Sequence, residues 1–190
     1  VARRLRELGV NIFTNRAMLQ EECEEVLVRG MKMKTETVIW TAGIRPNSLY
    51  QKIPGFRLDQ KGRVLVDDFL QARGCPNVFI VGDGAATPYF GLAQPAIREG
   101  RLAGENIARS LTGRALRRFE PQRPYHALPV GPRWAAVMLG SAAFYGRVGW
   151  WLRRAVDLRY FLSILPPAKA HLAFQSSKTL CESCQICAPD

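Results

Sequence analysis

The run Val78-Phe79-Ile80-Val81 constrains this chain more than any other stretch, because Pro76-Asn77 precedes it and Gly82-Asp83-Gly84 follows it. A short apolar run between turn residues reads as a strand buried on both faces, as in a parallel α/β sheet. The pattern next predicts a helix over Gln94 to Leu111. Pro95 suits its first turn, where a missing N–H costs nothing, and Gly113 suits its stop. Ala96, Gly100, Ala103, Gly104 and Ile107 share one mostly small face, which implies close approach to something flat, a sheet or a ring. Arg98, Arg101, Glu105 and Arg109 occupy another face, with Arg101–Glu105 and Glu105–Arg109 at i,i+4 spacing. A strand ending in Gly-Asp places a carboxylate at the carboxyl edge of a sheet, where α/β folds bind ligands. Such a group accepts hydrogen bonds from sugar hydroxyls. Eleven residues beyond Asp83 the open N–H groups of the helix favour negative charge. The same elements also read as a helix packed on a strand, with Asp83 capping a loop.

Elsewhere the signals are shorter. Residues 1–9 read as a helix end closed by Gly9, and Val10 to Thr14 as a strand. Glu25 to Arg29 and Lys34 to Trp40 are β-rich runs joined through Gly30, a hairpin pattern. Gly62 to Asp67 reads as another strand. Residues 114–133 are rich in Pro and Arg and read as a connection. Trp134 to Arg147 reads as a hairpin turning at Gly140-Ser141, and Trp150 to Leu165 as a helix stopped by Pro166-Pro167.

Three ordered segments carry a resemblance. They are Val38-Ile39-Trp40-Thr41-Ala42-Gly43-Ile44-Arg45-Pro46-Asn47, then Val78-Phe79-Ile80-Val81-Gly82-Asp83-Gly84-Ala85, then Ala93-Gln94-Pro95-Ala96-Ile97-Arg98-Glu99-Gly100 with Asn106-Ile107. Together they resemble the pyridine-nucleotide disulfide oxidoreductase superfamily, and within it the type II NADH:quinone oxidoreductases. The resemblance implies part of a two-dinucleotide-binding, Rossmann-like α/β flavoprotein fold, ending in a hairpin and an amphipathic helix. Residues 1–42 would close an NADH-binding domain, and residues 43–113 would be the returning segment of the FAD-binding domain. Residues 114–175 would associate with a membrane, and residues 176–190 would be a loose Cys-containing tail.

By the same resemblance the cofactor is FAD and the electron donor NADH. Gly43, Gly82, Asp83, Ala93, Gln94, Pro95 and Ala96 would border the flavin, Asp83 at the ribityl chain and Gln94 to Ala96 at the ring edge. Gln94, with Arg98 and Glu99 behind it, would lie on the quinone side. The family's G-x-G-x-x-G phosphate loops do not occur in this sequence, so FAD would need an N-terminal half, and the chain alone is expected to be inactive. A homodimer stays open. Other readings are a sulfide:quinone-type reductase using Cys75 or Cys23, and a non-catalytic fragment or assembly module without cofactor. His126 and His171 do not match the His-Glu pair of disulfide reductases.

Charge separates the halves of the chain. The net charge is +11 over 190 residues, of which residues 101–190 carry +8. Apolar residues make up 47% and charged residues 23%, which argues against wholesale disorder. A basic half attracts anionic surfaces, and without a recognisable nucleic-acid motif the membrane is the expected partner. Trp151, Ala155, Leu158, Leu162 and Leu165 fall on one helical face, beside Trp150, Phe161, Arg153 and Arg154. That pattern suits a helix lying in a membrane surface, peripheral and on the cytoplasmic face. Cys181, Cys184 and Cys187 have metal-ligand spacing but no clear fourth ligand, so no metal is expected there.

Overall fold

The computed structural model describes residues 1–22 and 24–177. The chain mixes helix and sheet and packs as two units. One unit joins Val1–Val38 to the residues from Tyr125 onward, and the other is Ile39–Pro124.

In the first unit α1 (Ala2–Glu7) ends at Gly9, whose φ of 78° only glycine adopts freely. The strand expected over Val10 to Thr14 is absent, and Val10 and Phe13 lie nearly half exposed. A strand persists only where a neighbour takes up its backbone groups, and no strand among the described residues lies beside this one. β1 (Met18–Glu22), β2 (Glu25–Val28) and β3 (Met31–Lys34) form an antiparallel meander. The turn expected at Gly30 is present, with Val28 opposite Met31. β3 ends six residues short of Trp40, because Lys34 already faces Glu25, where β2 begins. Beyond that point Ile39 and Trp40 have no ladder to join, and both are exposed.

A second meander follows, β6 (His126–Pro129), β7 (Ala135–Leu139) and β8 (Ala142–Tyr145), turning at Gly140-Ser141 as expected. Ala135, Ala136 and Val137 of β7 are buried. Against β7 packs α3 (Gly146–Ile164), at a separation set by Gly149. A Cβ at Gly149 would overlap the Ala135 carbonyl oxygen and stand 3.0 Å from the Phe144 carbonyl oxygen. Pro166 ends α3, and α4 (Pro167–Ser176), which the sequence pattern did not announce, starts on the next proline. Arg154 is only 7% exposed and closes the end of α4. It donates to the Phe174 carbonyl at 2.9 Å and the Ser177 hydroxyl at 3.0 Å, with its guanidinium 3.9 Å over the Phe174 ring. These bonds cover carbonyls that a helix end leaves open.

The second unit holds β4 (Gln71–Ala72), β5 (Cys75–Phe79) and α2 (Ala93–Leu111). The strand expected over Gly62 to Asp67 is reduced to isolated bridges, Val64 with Leu58 and Ala85, and Val66 with Ala72. The Val78–Val81 expectation also needs correction. β5 pairs antiparallel with β4, and Val78 and Val81 remain 36% and 37% exposed while Ile80 is buried. Successive side chains of an extended segment face opposite ways, and only one side here meets a core, Val64, Ala72, Ile80 and Ala85. Cys75 packs against that core.

α2 matches its expected span, but its buried side differs. Pro95, Glu99, Ala103 and Asn106 face inward, whereas Gly100, Gly104 and Ile107 are exposed. Two polar residues decide the orientation, since each is fully bonded inside. Asn106 donates to the carbonyls of Phe69 (3.3 Å) and Arg117 (2.9 Å) and accepts from the Arg117 N–H at 2.8 Å. On the outer side Glu105 pairs with Arg109 at 3.1 Å and with Arg117 at 2.9 Å.

Candidate functional site

The backbone after β5 turns sharply through a 3₁₀ turn, Gly82–Gly84. Gly82 has φ 65°, and a Cβ there would touch that of Ala96 at 3.5 Å, so the turn lies directly on the first turns of α2. Gly84 lies against Tyr50, whose ring carbons would stand 2.9 Å from a Cβ. The turn is therefore held between an aromatic ring and a helix, and glycine permits both approaches.

Two carboxylates divide the space around it. Glu99, 1% exposed, reaches up from α2 and accepts the Gly82 N–H at 2.6 Å and the Thr87 hydroxyl at 2.7 Å. Burial pushes its carboxyl above the ordinary Glu value; the bonds from Thr87 and Gly82 act against this, and the Asp83 charge adds to it. Asp83 is exposed and faces the other way, accepting the Gly91 N–H on Oδ1 at 2.9 Å. The first turn of α2 has no side-chain cap, so its positive end is available to a ligand.

Gly91 also belongs to the wall of a cleft of about 640 Å³, bounded by Thr41, Gly43-Ile44-Arg45, Gln60-Lys61 and Phe90-Gly91. Behind the lining, Asp59 holds the loop that carries Lys61 by accepting the N–H groups of Lys61 and Arg63, each at 2.9 Å. Burial works to raise the Asp59 carboxyl, but the Arg63 backbone and guanidinium and the Lys61 N–H outweigh it and hold it below the usual range. Arg63, 2.6 Å from Asp59, and Lys61 lie over the Phe90 ring at 4.1 and 4.8 Å. The described lining carries Arg45 and Lys61 and no acidic residue, so the cleft suits an anionic group.

The structure thus gathers Gly82, Asp83, Ala96 and Glu99 into one cluster, with Gly43 (φ 99°) on the adjoining cleft wall. Ala93 and Gln94 open α2, while Pro95 is buried. Arg98 donates to the Gln122 carbonyl at 3.3 Å. Thr87, Arg45, Lys61 and Phe90 were not singled out from the sequence. Arg45 stands inside the quoted Thr-Ala-Gly-Ile-Arg-Pro-Asn segment and was the nearest to a visible signal. Among the described residues no His/Cys/Asp/Glu group could hold a metal, and Cys23, Cys181, Cys184 and Cys187 lie outside those residues.

Comparison with known proteins gives the family of the chain. The family model for pyridine nucleotide-disulphide oxidoreductases matches residues 1–100. The chain is 28% identical over 173 residues to the type II NADH:quinone oxidoreductase Ndh of Mycobacterium tuberculosis, covering 85% of this chain and 37% of that protein. It is 25% identical over 161 residues to the type II NADH:quinone oxidoreductase of Staphylococcus aureus, covering 81% and 39%. It therefore spans well under half the length of these relatives. Among solved structures, a FAD-dependent pyridine nucleotide-disulphide oxidoreductase from Desulfovibrio vulgaris superposes with a TM-score of 0.59 at 23% identity, over 72% of this chain and 36% of that one. The flavoprotein disulfide reductase RclA of Escherichia coli gives 0.57 at 18% identity, over 74% and 32%. The fold is shared with both, and with the matched residues running from the first strands through Gly82-Asp83 to Gly100, this chain belongs to the pyridine nucleotide-disulphide oxidoreductase family.

Proposed function

We propose that this chain supplies the flavin-facing turn and helix of an FAD-dependent oxidoreductase that passes electrons from NADH to a membrane quinone. The carrying observation is Asp83, turned outward on a glycine turn with one oxygen held by Gly91, beside the uncapped start of α2. These residues fit the cofactor. The second Asp83 oxygen suits a ribityl hydroxyl, the α2 start suits a ring edge that gains negative charge, and Arg45 and Lys61 suit phosphate. A bound flavin would supply the electron-accepting and electron-donating chemistry, and the protein orients it and shapes its electrostatics.

In this reading Gln94, in the first turn of α2, faces the quinone side, and FAD binding also needs glycine-rich phosphate loops that this sequence does not contain. Residues 1–42 close its NADH-binding domain and residues 43–113 return to its flavin domain. For the sulfide-oxidising alternative, Cys75 packs against the core as a partly buried residue, and Cys23 lies outside the described residues. A cofactor-free assembly module is the outcome left if flavin fails to bind. The test is flavin content after Asp83→Ala in the enzyme joined to its flavin-binding half. A loss of roughly tenfold or more in flavin affinity is expected, as for a charged hydrogen-bond acceptor, with Asp83→Asn less affected.

The C-terminal helices carry the membrane part of the proposal. No helix among the described residues is long and apolar enough to cross a membrane. α3 does present Val148, Trp151 (66% exposed) and Leu162 (51% exposed), with Leu172 of α4 also exposed. Leu158 and Phe161, expected on that surface, are half-buried, and so is Trp150. Arg154 is turned inward onto α4, and Arg153 lies 3.7 Å from Asp157, so Arg147 and Arg159 are the more exposed cations. We place this face on the cytoplasmic surface of an anionic membrane. Trp151→Glu with Leu162→Glu is expected to cut co-flotation with anionic phosphatidylglycerol vesicles about tenfold or more, from the lost apolar burial. Unchanged flotation would refute it.

A further inference from the structure

Glu99 is a buried carboxylate that neither the flavin-facing role of Asp83 nor the basic cleft uses. Its two oxygens are occupied from the same side of α2, by the Gly82 N–H at 2.6 Å and the Thr87 hydroxyl at 2.7 Å. Those partners stand at either end of the segment that contains Asp83 and Gly84. From Asp83 the bonding continues outward to Gly91, which lines the cleft. A continuous path of contacts therefore runs from Glu99 through the turn to both ligand-facing features.

We propose that Glu99 is a positioning residue for Asp83: it anchors both ends of the Gly82–Thr87 segment to α2 and so fixes the outward course of Asp83 and the Gly91 wall of the cleft. The proposal rests on the reading of Asp83 as a cofactor-binding residue. The anchoring rests on the two hydrogen bonds and not on the charge. A glutamine of nearly the same shape could accept the Gly82 N–H, while the Thr87 hydroxyl rotates to accept from its amide.

Because burial raises the folded-state value of Glu99, its contribution to stability is fully present below the ordinary Glu value. It is lost as pH rises through the raised value. Once ionised, the carboxyl therefore costs stability that glutamine would restore. The charged and titratable groups around it are Asp83 on the turn, Tyr50 behind Gly84, and Arg63, which donates to the Thr87 carbonyl at 3.3 Å.

The test uses the full chain without cofactor. Amide exchange at Gly82 and Gly91 and thermal unfolding between pH 4 and pH 7 are followed in Glu99→Gln and Glu99→Ala. Ala103→Gly, on the same buried face, serves as a control for general loosening. Glu99→Gln is expected to keep protection at both amides, and its stability advantage over the parent should grow with pH. Glu99→Ala should lose about tenfold in protection at Gly82 and Gly91 beyond that seen in Ala103→Gly, from removal of a charge-assisted bond. In the parent, the Gly91 amide shift should include a component that titrates with Glu99 and vanishes in Glu99→Gln. The proposal is overturned if that component persists in Glu99→Gln, or if Gly91 keeps its protection in Glu99→Ala while Gly82 loses it. If Glu99→Ala does not fold, the Glu99→Gln titration decides. A parent enzyme that bound no flavin would remove the functional reading of Asp83 and leave the anchoring result intact.

Discussion

Replacing Asn106 with alanine is expected to lower the unfolding free energy of the second unit by about 2–4 kcal/mol, the cost of stranding buried polar groups. Asn106 is fully buried and makes three hydrogen bonds, two of them to the Arg117 backbone and one to the Phe69 carbonyl. Truncation leaves the Arg117 N–H and carbonyl without partners and opens a gap beneath α2 as well. Asn106→Asp keeps the acceptor for Arg117 N–H but turns the donor into a second acceptor facing two carbonyls, so it too should be destabilising. Urea denaturation followed by the fluorescence of Trp40, the tryptophan of this unit, checks both, and a shift below about 0.5 kcal/mol for Asn106→Ala would contradict the assignment.

Gly149→Ala is the second large effect. Alanine is the better helix former, and at an open helical site the exchange gains up to about 1 kcal/mol. At Gly149 the new Cβ meets the Ala135 carbonyl oxygen, and the Phe144 carbonyl is 3.0 Å away. Both are strand backbone, which cannot rotate aside, so α3 must move off β7. Overpacking of this kind costs about 1–3 kcal/mol, which exceeds the propensity gain. The fluorescence transition of Trp134, Trp150 and Trp151 should shift to lower denaturant. Gly100→Ala on α2, where nothing lies within 4 Å of a Cβ, is the matched control and should be neutral or stabilising. Equal behaviour of the two variants would show that α3 does not depend on close approach to β7.

The contrast between those two glycines marks where sequence reading stops. The ends of α2 were legible because Pro95 and Gly113 act through local backbone geometry. The turns at Gly30 and Gly140 were legible for the same reason. The buried face of α2 was not. Small residues at Ala96, Gly100 and Gly104 suggest close packing, yet the helix is oriented by Glu99 and Asn106, whose partners lie 12 and 17 residues before one and 37 before or 11 after the other. Polar residues with distant partners leave no periodic signal. β5 failed for a related reason, since an apolar run records only that burial is available, and Val78 and Val81 stay more than a third exposed. The Asp83 turn was visible as Gly-Asp-Gly at a strand end, but the basic cleft needs Arg45, Lys61 and Phe90 from three separate segments. Their proximity is a property of the fold alone.

The central claim is that the outward carboxylate of Asp83 completes a flavin site. Its most direct test is the visible absorption of the chain joined to its flavin-binding half, before and after Asp83→Ala. The account predicts a yellow parent protein that NADH bleaches without oxygen and a quinone restores, with flavin lost on gel filtration of the Asp83→Ala variant. A colourless parent, or a variant that keeps its flavin as tightly as the parent, would contradict it.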